Sequence, residues 1–190
     1  MSGLNLFRLP VALGLVGLLS SGPAMAGIAL ETLCLDCHSG DAPGAVAPRI
    51  EGQHAAYLAA QLQRFAERHR EGFPMSALSE GLDAAAIARI SSDLAERPWV
   101  GSVTESAGSV PPEGSERLDA LDCASCHGAD YRGGDTIPRI AGQHQAYLAR
   151  QIAGFSIGDR HHPPLGGGMR MYRLEAEDIE ALAATLSALE

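Results

Sequence analysis

The chain has 190 residues, 46% apolar and only 19% charged, a balance that excludes a disordered, collagen-like or coiled-coil protein and calls for a packed core. Its formal charge is −9, and all 14 basic residues are arginine. No basic surface is available to neutralise a phosphate backbone, so nucleic acid is excluded as a partner.

Residues 1–26 carry one positive charge, Arg8, then an apolar run from Leu9 to Leu19, then Ser20, Ser21, Gly22 and Pro23 ahead of Ala24, Met25 and Ala26. This is the layout of a secretory signal peptide with cleavage expected after Ala26. The apolar run falls short of the roughly 20 residues of a spanning helix, and helix breakers follow it. No later segment is long and apolar enough to span a bilayer, so the mature product is expected in the periplasm with no integral membrane segment. Losing Arg8 takes the formal charge from −9 to −10.

The rest of the chain is a duplication. Residues 48–65 and 138–155 share 12 identities in 18 positions at an offset of 90, through the common pattern Pro-Arg-Ile-x-Gly-Gln-His-x-Ala-Tyr-Leu-Ala. A Cys-x-x-Cys-His motif precedes each copy, at Cys34, Cys37 and His38 and again at Cys123, Cys126 and His127. Residues 27–100 therefore form one domain and 116–190 a second, with a linker rich in Gly, Ser and Pro over 101–115. Within each, a short helix is expected to carry the Cys-x-x-Cys-His motif, followed by a Gly/Pro-rich loop. A longer helix then starts near His54 or His144, with one apolar face made by Leu58, Leu62 and Phe65, or by Leu148, Ile152 and Phe155. A loop containing methionine leads to a final amphipathic helix, about Asp83–Arg97 and Glu175–Leu189, with acidic residues in its first turn. Neither copy alternates as strands do. The expected fold class is all-α, two tandem domains of roughly 75 residues, a size at which a core of side chains alone is marginal.

Cys-x-x-Cys-His is the attachment signature of a c-type haem. Two thiols one helical turn apart form thioethers to the porphyrin vinyl groups, and the adjacent His faces the iron. Two motifs use all four cysteines, at Cys34, Cys37, Cys123 and Cys126, and imply two covalently bound haem c groups. The competing readings are a redox dithiol, which wants a βαβ context missing here; a zinc site, which needs four ligands; and two local disulfides. His38 and His127 are the expected proximal ligands.

A methionine opposite each raises the potential of such an iron. Met75 follows the long helix, 37 residues beyond His38; Met169 lies 42 residues beyond His127, after Gly166, Gly167 and Gly168, and is preferred to Met171. His54 and His144, matched in the repeat, read as capping or packing residues, while His161 and His162 have no counterpart in the first copy and read as loop residues or as an alternative ligand. The carbonyls of Pro48 and Pro138 are candidates to orient the proximal imidazoles, and Arg49 and Arg139 to pair with haem propionates or to stand as solvated charges.

The paired Cys-x-x-Cys-His motifs, the repeated Pro-Arg-Ile-x-Gly-Gln-His-x-x-Tyr-Leu segment and the methionine loop before an acidic C-terminal helix resemble the dihaem cytochrome c4 family over nearly all of the mature chain. The resemblance implies two class I cytochrome c folds facing each other about a pseudo-twofold axis, each with His/Met iron, carrying electrons in the periplasm, often toward terminal oxidases. It gives Cys34, Cys37, Cys123 and Cys126 thioether roles, His38 and His127 proximal roles, and Met75 a distal role. The second methionine loop departs from the family: seven residues before Leu82 stands Met75, whereas seven before Leu174 stands Gly167.

The expected function is one-electron transfer between protein redox partners, a donor and an acceptor that include membrane-bound oxidase or reductase complexes, with no bond-making by the protein. Alternatives are the dihaem subunit of a dehydrogenase such as a flavocytochrome, and a haem enzyme with an open iron position.

Overall fold

The computed structural model describes residues 30–38, 47–100, 112–162 and 173–189. The expected signal peptide with its cleavage site, residues 101–111 of the expected linker, and Met169 and Met171 lie outside them.

Eight helices and no strands are formed among the described residues, in agreement with the all-α expectation. The first half holds α1 (Leu30–His38), α2 (Ala55–Ala66), α3 (Met75–Ser79) and α4 (Ala84–Ala95). Its core is Leu58 of α2 against Ile90 and Leu94 of α4, with Leu35, Ile50, Leu62 and Leu82 packed around them. Helix α4 starts where the Asp83 carboxylate accepts the Ala86 N–H at 2.7 Å, satisfying one of the first-turn amides that has no partner within the helix.

The second half holds α5 (Pro112–Ala120), α6 (Ala124–His127), α7 (Gln145–Ile157) and α8 (Ala176–Ala188). Its core joins Leu118, Leu148, Ile152, Leu182 and Leu186 around Ala141, Ala183 and Tyr131. The expected linker boundary needs correction. Residues 112–115 are the first turn of α5, because Gly114 and Leu118 bury against α8 and so draw this stretch into the second domain. As expected, a short helix carries the second Cys-x-x-Cys-His motif: α5 ends at Ala120, Asp122 takes a left-handed conformation at φ 53°, and α6 is a separate single turn with Cys123 at its N-cap.

Gly114 sets the crossing of α5 over α8. A Cβ there would collide with Thr185 Oγ1 and the Ala181 carbonyl, so the two helices approach closely only because Gly lacks one. Arg117 of α5 then reaches Asp178 in the first turn of α8, at 2.8 Å.

The two halves meet across an interface whose bonds repeat the 90-residue offset. Gln143 Oε1 accepts the Arg49 N–H at 2.7 Å, and its Nε2 donates to the Arg49 carbonyl at 3.0 Å. Gln53 does the same to Arg139, at 2.9 Å for both bonds. A second symmetric cluster joins Arg70 to Gln61, Tyr147 and Gln151, and Arg160 to Gln151 and Gln61. Each guanidinium also lies over the phenylalanine that closes the long helix of its own half, Arg70 over Phe65 at 4.5 Å and Arg160 over Phe155 at 4.6 Å.

Two outcomes follow. Gly114→Ala is expected to lower stability by about 1–3 kcal/mol in denaturant unfolding, because overpacking the crossing outweighs the gain in helix propensity. Arg70→Ala removes two bonds across the interface from a charged donor, to Tyr147 and Gln151, each worth about 1.5–3 kcal/mol. It is expected to split the calorimetric melt into two transitions as the halves separate first.

Candidate functional site

The last turn of α1 presents Cys34 and Cys37 with His38 beside them, Cys34 half-buried, Cys37 exposed and His38 buried. In the second half Cys123 stands at the N-cap of α6, followed by Cys126 and His127 within that turn. His38 Nδ1 donates to the Pro48 carbonyl at 2.7 Å, and His127 Nδ1 donates to the Pro138 carbonyl at 2.9 Å. A carbonyl can only accept, so these bonds assign the Nδ1–H tautomer and leave each Nε2 with its lone pair. Burial pushes both imidazoles below the ordinary histidine value, the proline carbonyls partly opposing it, and both are therefore neutral and competent to bind a metal.

The proline loops are anchored from behind. Gly52 N–H donates to the Leu94 carbonyl of α4 and Gly142 N–H to the Leu186 carbonyl of α8, each at 2.9 Å. The carbonyl facing each histidine is thus tied to the final helix of its own half.

This arrangement suits a covalently held haem better than the competing groups. No cysteine is in a disulfide. Burial, with Asp122 adding to it, pushes the Cys123 thiol up to about 11, which disfavours the thiolate that a redox pair needs. Among the described residues, no group of three or more His, Cys, Asp and Glu side chains converges to hold a metal ion. A cavity of about 460 Å³ opens beside His127, between Ile137, Pro138 and His162 of the second half and Ala60 and Arg64 on α2 of the first.

Met75 is the first residue of α3, half-buried, in a turn held by the Ser76 N–H on the Gly72 carbonyl at 2.9 Å and by Ser76 Oγ on Glu71 at 3.0 Å. The expected methionine loop of the first half is therefore a short helix. Met169 and Met171 fall outside the described residues, but His162 does not. Its ring centroid lies 6.3 Å from that of His127, with an angle of 54° between the planes, and it stands edge-on to Phe155 at 5.0 Å. His161 is exposed, as is His69, which pairs with Glu67 at 3.2 Å.

Of the capping or packing role expected for His54 and His144, packing is what the structure has, and of the two readings for Arg49 the solvated charge is overturned. His54 and His144 stand at the N-caps of α2 and α7 without capping through their side chains. His54 Nε2 instead reaches the Arg132 carbonyl in the other half at 2.8 Å, and His144 is buried. Arg49 is not a solvated charge: it is 7% exposed and donates to the Val100 carbonyl at 2.7 Å. Arg139 lies over the Trp99 indole at 4.7 Å and donates to the Ala141 carbonyl at 3.3 Å. Gln53 and Gln143, just before the two histidines, escaped the sequence reading; the signal was there, as both copies keep the same amide at the same place.

Comparison with known proteins agrees with this geometry. The cytochrome c family model matches residues 112–190. The chain is 28% identical over 207 residues to cytochrome c4 of Azotobacter vinelandii, covering 97% of this chain and 98% of that one. It is 32% identical over 146 residues to a thiosulfate dehydrogenase electron acceptor of Thiomonas intermedia, covering 70% and 67%. Among solved structures it superposes on reduced recombinant cytochrome c4 from Pseudomonas stutzeri with a TM-score of 0.71 and 25% identity, covering 83% of this chain and 94% of that one. With two Cys-x-x-Cys-His turns, two carbonyl-oriented histidines and relatives that match end to end, the chain belongs to the dihaem cytochrome c4 family and is an electron-transfer protein with two covalently bound haem c groups.

Proposed function

We propose that the chain works in the periplasm, after removal of residues 1–26, as a one-electron carrier between a protein donor and a protein acceptor, including membrane-bound oxidase or reductase complexes. Cys34 and Cys37 hold the first haem and Cys123 and Cys126 the second. His38 and His127 are the proximal ligands, Met75 the distal ligand of the first iron and Met169 that of the second. The observation that carries this reading is the repeated pair of His Nδ1 bonds to Pro48 and Pro138, which leaves Nε2 of each imidazole for iron. The bound haems supply a reversible ferric/ferrous couple; the protein orients the ligands, excludes water from them and offers a docking surface.

The cytochrome c4 relatives, matched over 97% of this chain, support a carrier over a haem enzyme. Phe73 and Leu78, 98% and 65% exposed, flank Met75 and give the first half an apolar spot on an otherwise acidic chain. A partner with a basic rim complements it, and its association rate is expected to fall as ionic strength rises. The relative described as a thiosulfate dehydrogenase electron acceptor makes an oxidising dehydrogenase one donor class for this chain. No helix among the described residues is long and apolar enough to cross a membrane.

A specific observation favours a second reading at the second iron. The His127 and His162 ring centroids lie 6.3 Å apart and both residues line one cavity, so these two imidazoles would hold the second iron together. His162 follows His127 by 35 residues, closer to the 37 between His38 and Met75 than the 42 of Met169.

A spectroscopic redox titration of the purified holoprotein tests both readings. Two low-spin haems per chain are expected, and Met75→Ala removes the Met-to-iron charge-transfer band of one. If Met169 is the other ligand, Met169→Ala removes the remaining band and His162→Ala leaves it. If His162 is the ligand, the second haem lacks that band from the start and His162→Ala alone turns it high-spin.

A further inference from the structure

The peptide unit between Pro48 and Arg49 has two polar groups, and they face opposite halves of the molecule. Its carbonyl accepts from His38 Nδ1 at 2.7 Å, and its N–H donates to Gln143 Oε1 at 2.7 Å. The peptide between Pro138 and Arg139 repeats this, with His127 at 2.9 Å on one side and Gln53 Oε1 at 2.9 Å on the other. The unit is planar and conjugated, so an acceptor on its N–H increases negative charge on its carbonyl oxygen, and hydrogen bonds in series strengthen one another by roughly 10–30% each. Each glutamine closes a ring by donating Nε2 to the carbonyl of the same arginine, which fixes the peptide in place. Gln53 and Gln143 are both 3% exposed, so water does not replace them. Each Oε1 also accepts the N–H of the following histidine, His54 at 3.1 Å and His144 at 3.0 Å, which locks the amide orientation.

We propose that Gln53 and Gln143 are positioning residues that act crosswise: Gln143, in the second domain, tunes the haem bound by the first, and Gln53, in the first, tunes the haem bound by the second. The route is amide to peptide to proximal imidazole. A more strongly accepting carbonyl gives the imidazole more imidazolate character, which favours ferric iron and lowers the potential. Docking of the two halves is thereby part of each haem's potential, and a partner that loosens the interface raises both. The proposal rests on His38 and His127 being the proximal ligands.

The test is a redox titration of holoprotein carrying Gln143→Leu or Gln53→Leu, with the two haems distinguished by their hyperfine-shifted methyl resonances, assigned through the Met75→Ala variant. Gln143→Leu is expected to shift the haem of the first domain toward the reduced form by about threefold to tenfold in the oxidised-to-reduced ratio, and Gln53→Leu to do so for the second. A tenfold change corresponds to about 59 mV for one electron. The other haem is expected to move less than twofold in each case. A shift confined to the variant's own domain, equal shifts in both haems, or no shift overturns the proposal. Should either variant fail to take up two haems, amide exchange in the native holoprotein decides: the Arg49 and Arg139 amides bond across the interface, so they are expected to be protected and to lose protection together, and exchange at open-loop rates overturns it. Failure of the ligand assignment is read separately, since His38→Gly and His127→Gly would then leave both haems low-spin.

Discussion

Two peptide planes, Pro48–Arg49 and Pro138–Arg139, hold the structure and its chemistry together. Each has the histidine of a Cys-x-x-Cys-His motif on its carbonyl and a glutamine from the opposite half on its amide. A buried peptide leaves neither group unpaired without penalty, so the same requirement that satisfies the backbone also fixes the imidazole's tautomer and joins the halves. The loops bearing these planes are tied back to α4 and α8 through Gly52 and Gly142. His38 and His127 are therefore oriented by rigid supports rather than by free loops, as a centre that must change charge with little rearrangement requires.

Duplication gives the halves the same parts but not the same surroundings. The first motif lies on the continuous α1, whereas the second is a single turn, α6, set off from α5 by Asp122. The second half also gains the α5–α8 crossing at Gly114 and the His127–His162 approach, neither of which has a counterpart among the described residues of the first. Different burial, hydrogen bonding and distal neighbours are the levers that separate the potentials of two haems of one chemical type. A carrier with two unequal sites can accept an electron on one and release it from the other.

The interface is polar where a permanent one is usually apolar. Arg70, Arg160, Gln61, Gln151 and Tyr147 fill one part of it, and the two glutamine rings another. Directional bonds of this kind fix register and orientation more than they add cohesion, and they fit a two-domain carrier whose halves must hold one arrangement between encounters with its partners.

Much of this was legible in the residues alone. Cys-x-x-Cys-His is local chemistry, three side chains within two turns, so its spacing identifies the cofactor without tertiary information. The repeat identifies two domains, because 12 identities in 18 positions need a common origin, and helix periodicity placed α2, α4, α7 and α8 to within a residue or two. The Pro48 and Pro138 carbonyls were likewise foreseeable from their matched places. The sequence could not tell that Arg49 and Arg139 turn inward, or that α5 begins inside the apparent linker, because both depend on surfaces supplied by distant segments. Gln53 and Gln143 show the same division. Their repetition was visible, but their partners lie 86 and 94 residues away, and only packing of the two halves brings an amide on one against the peptide that holds the other's histidine.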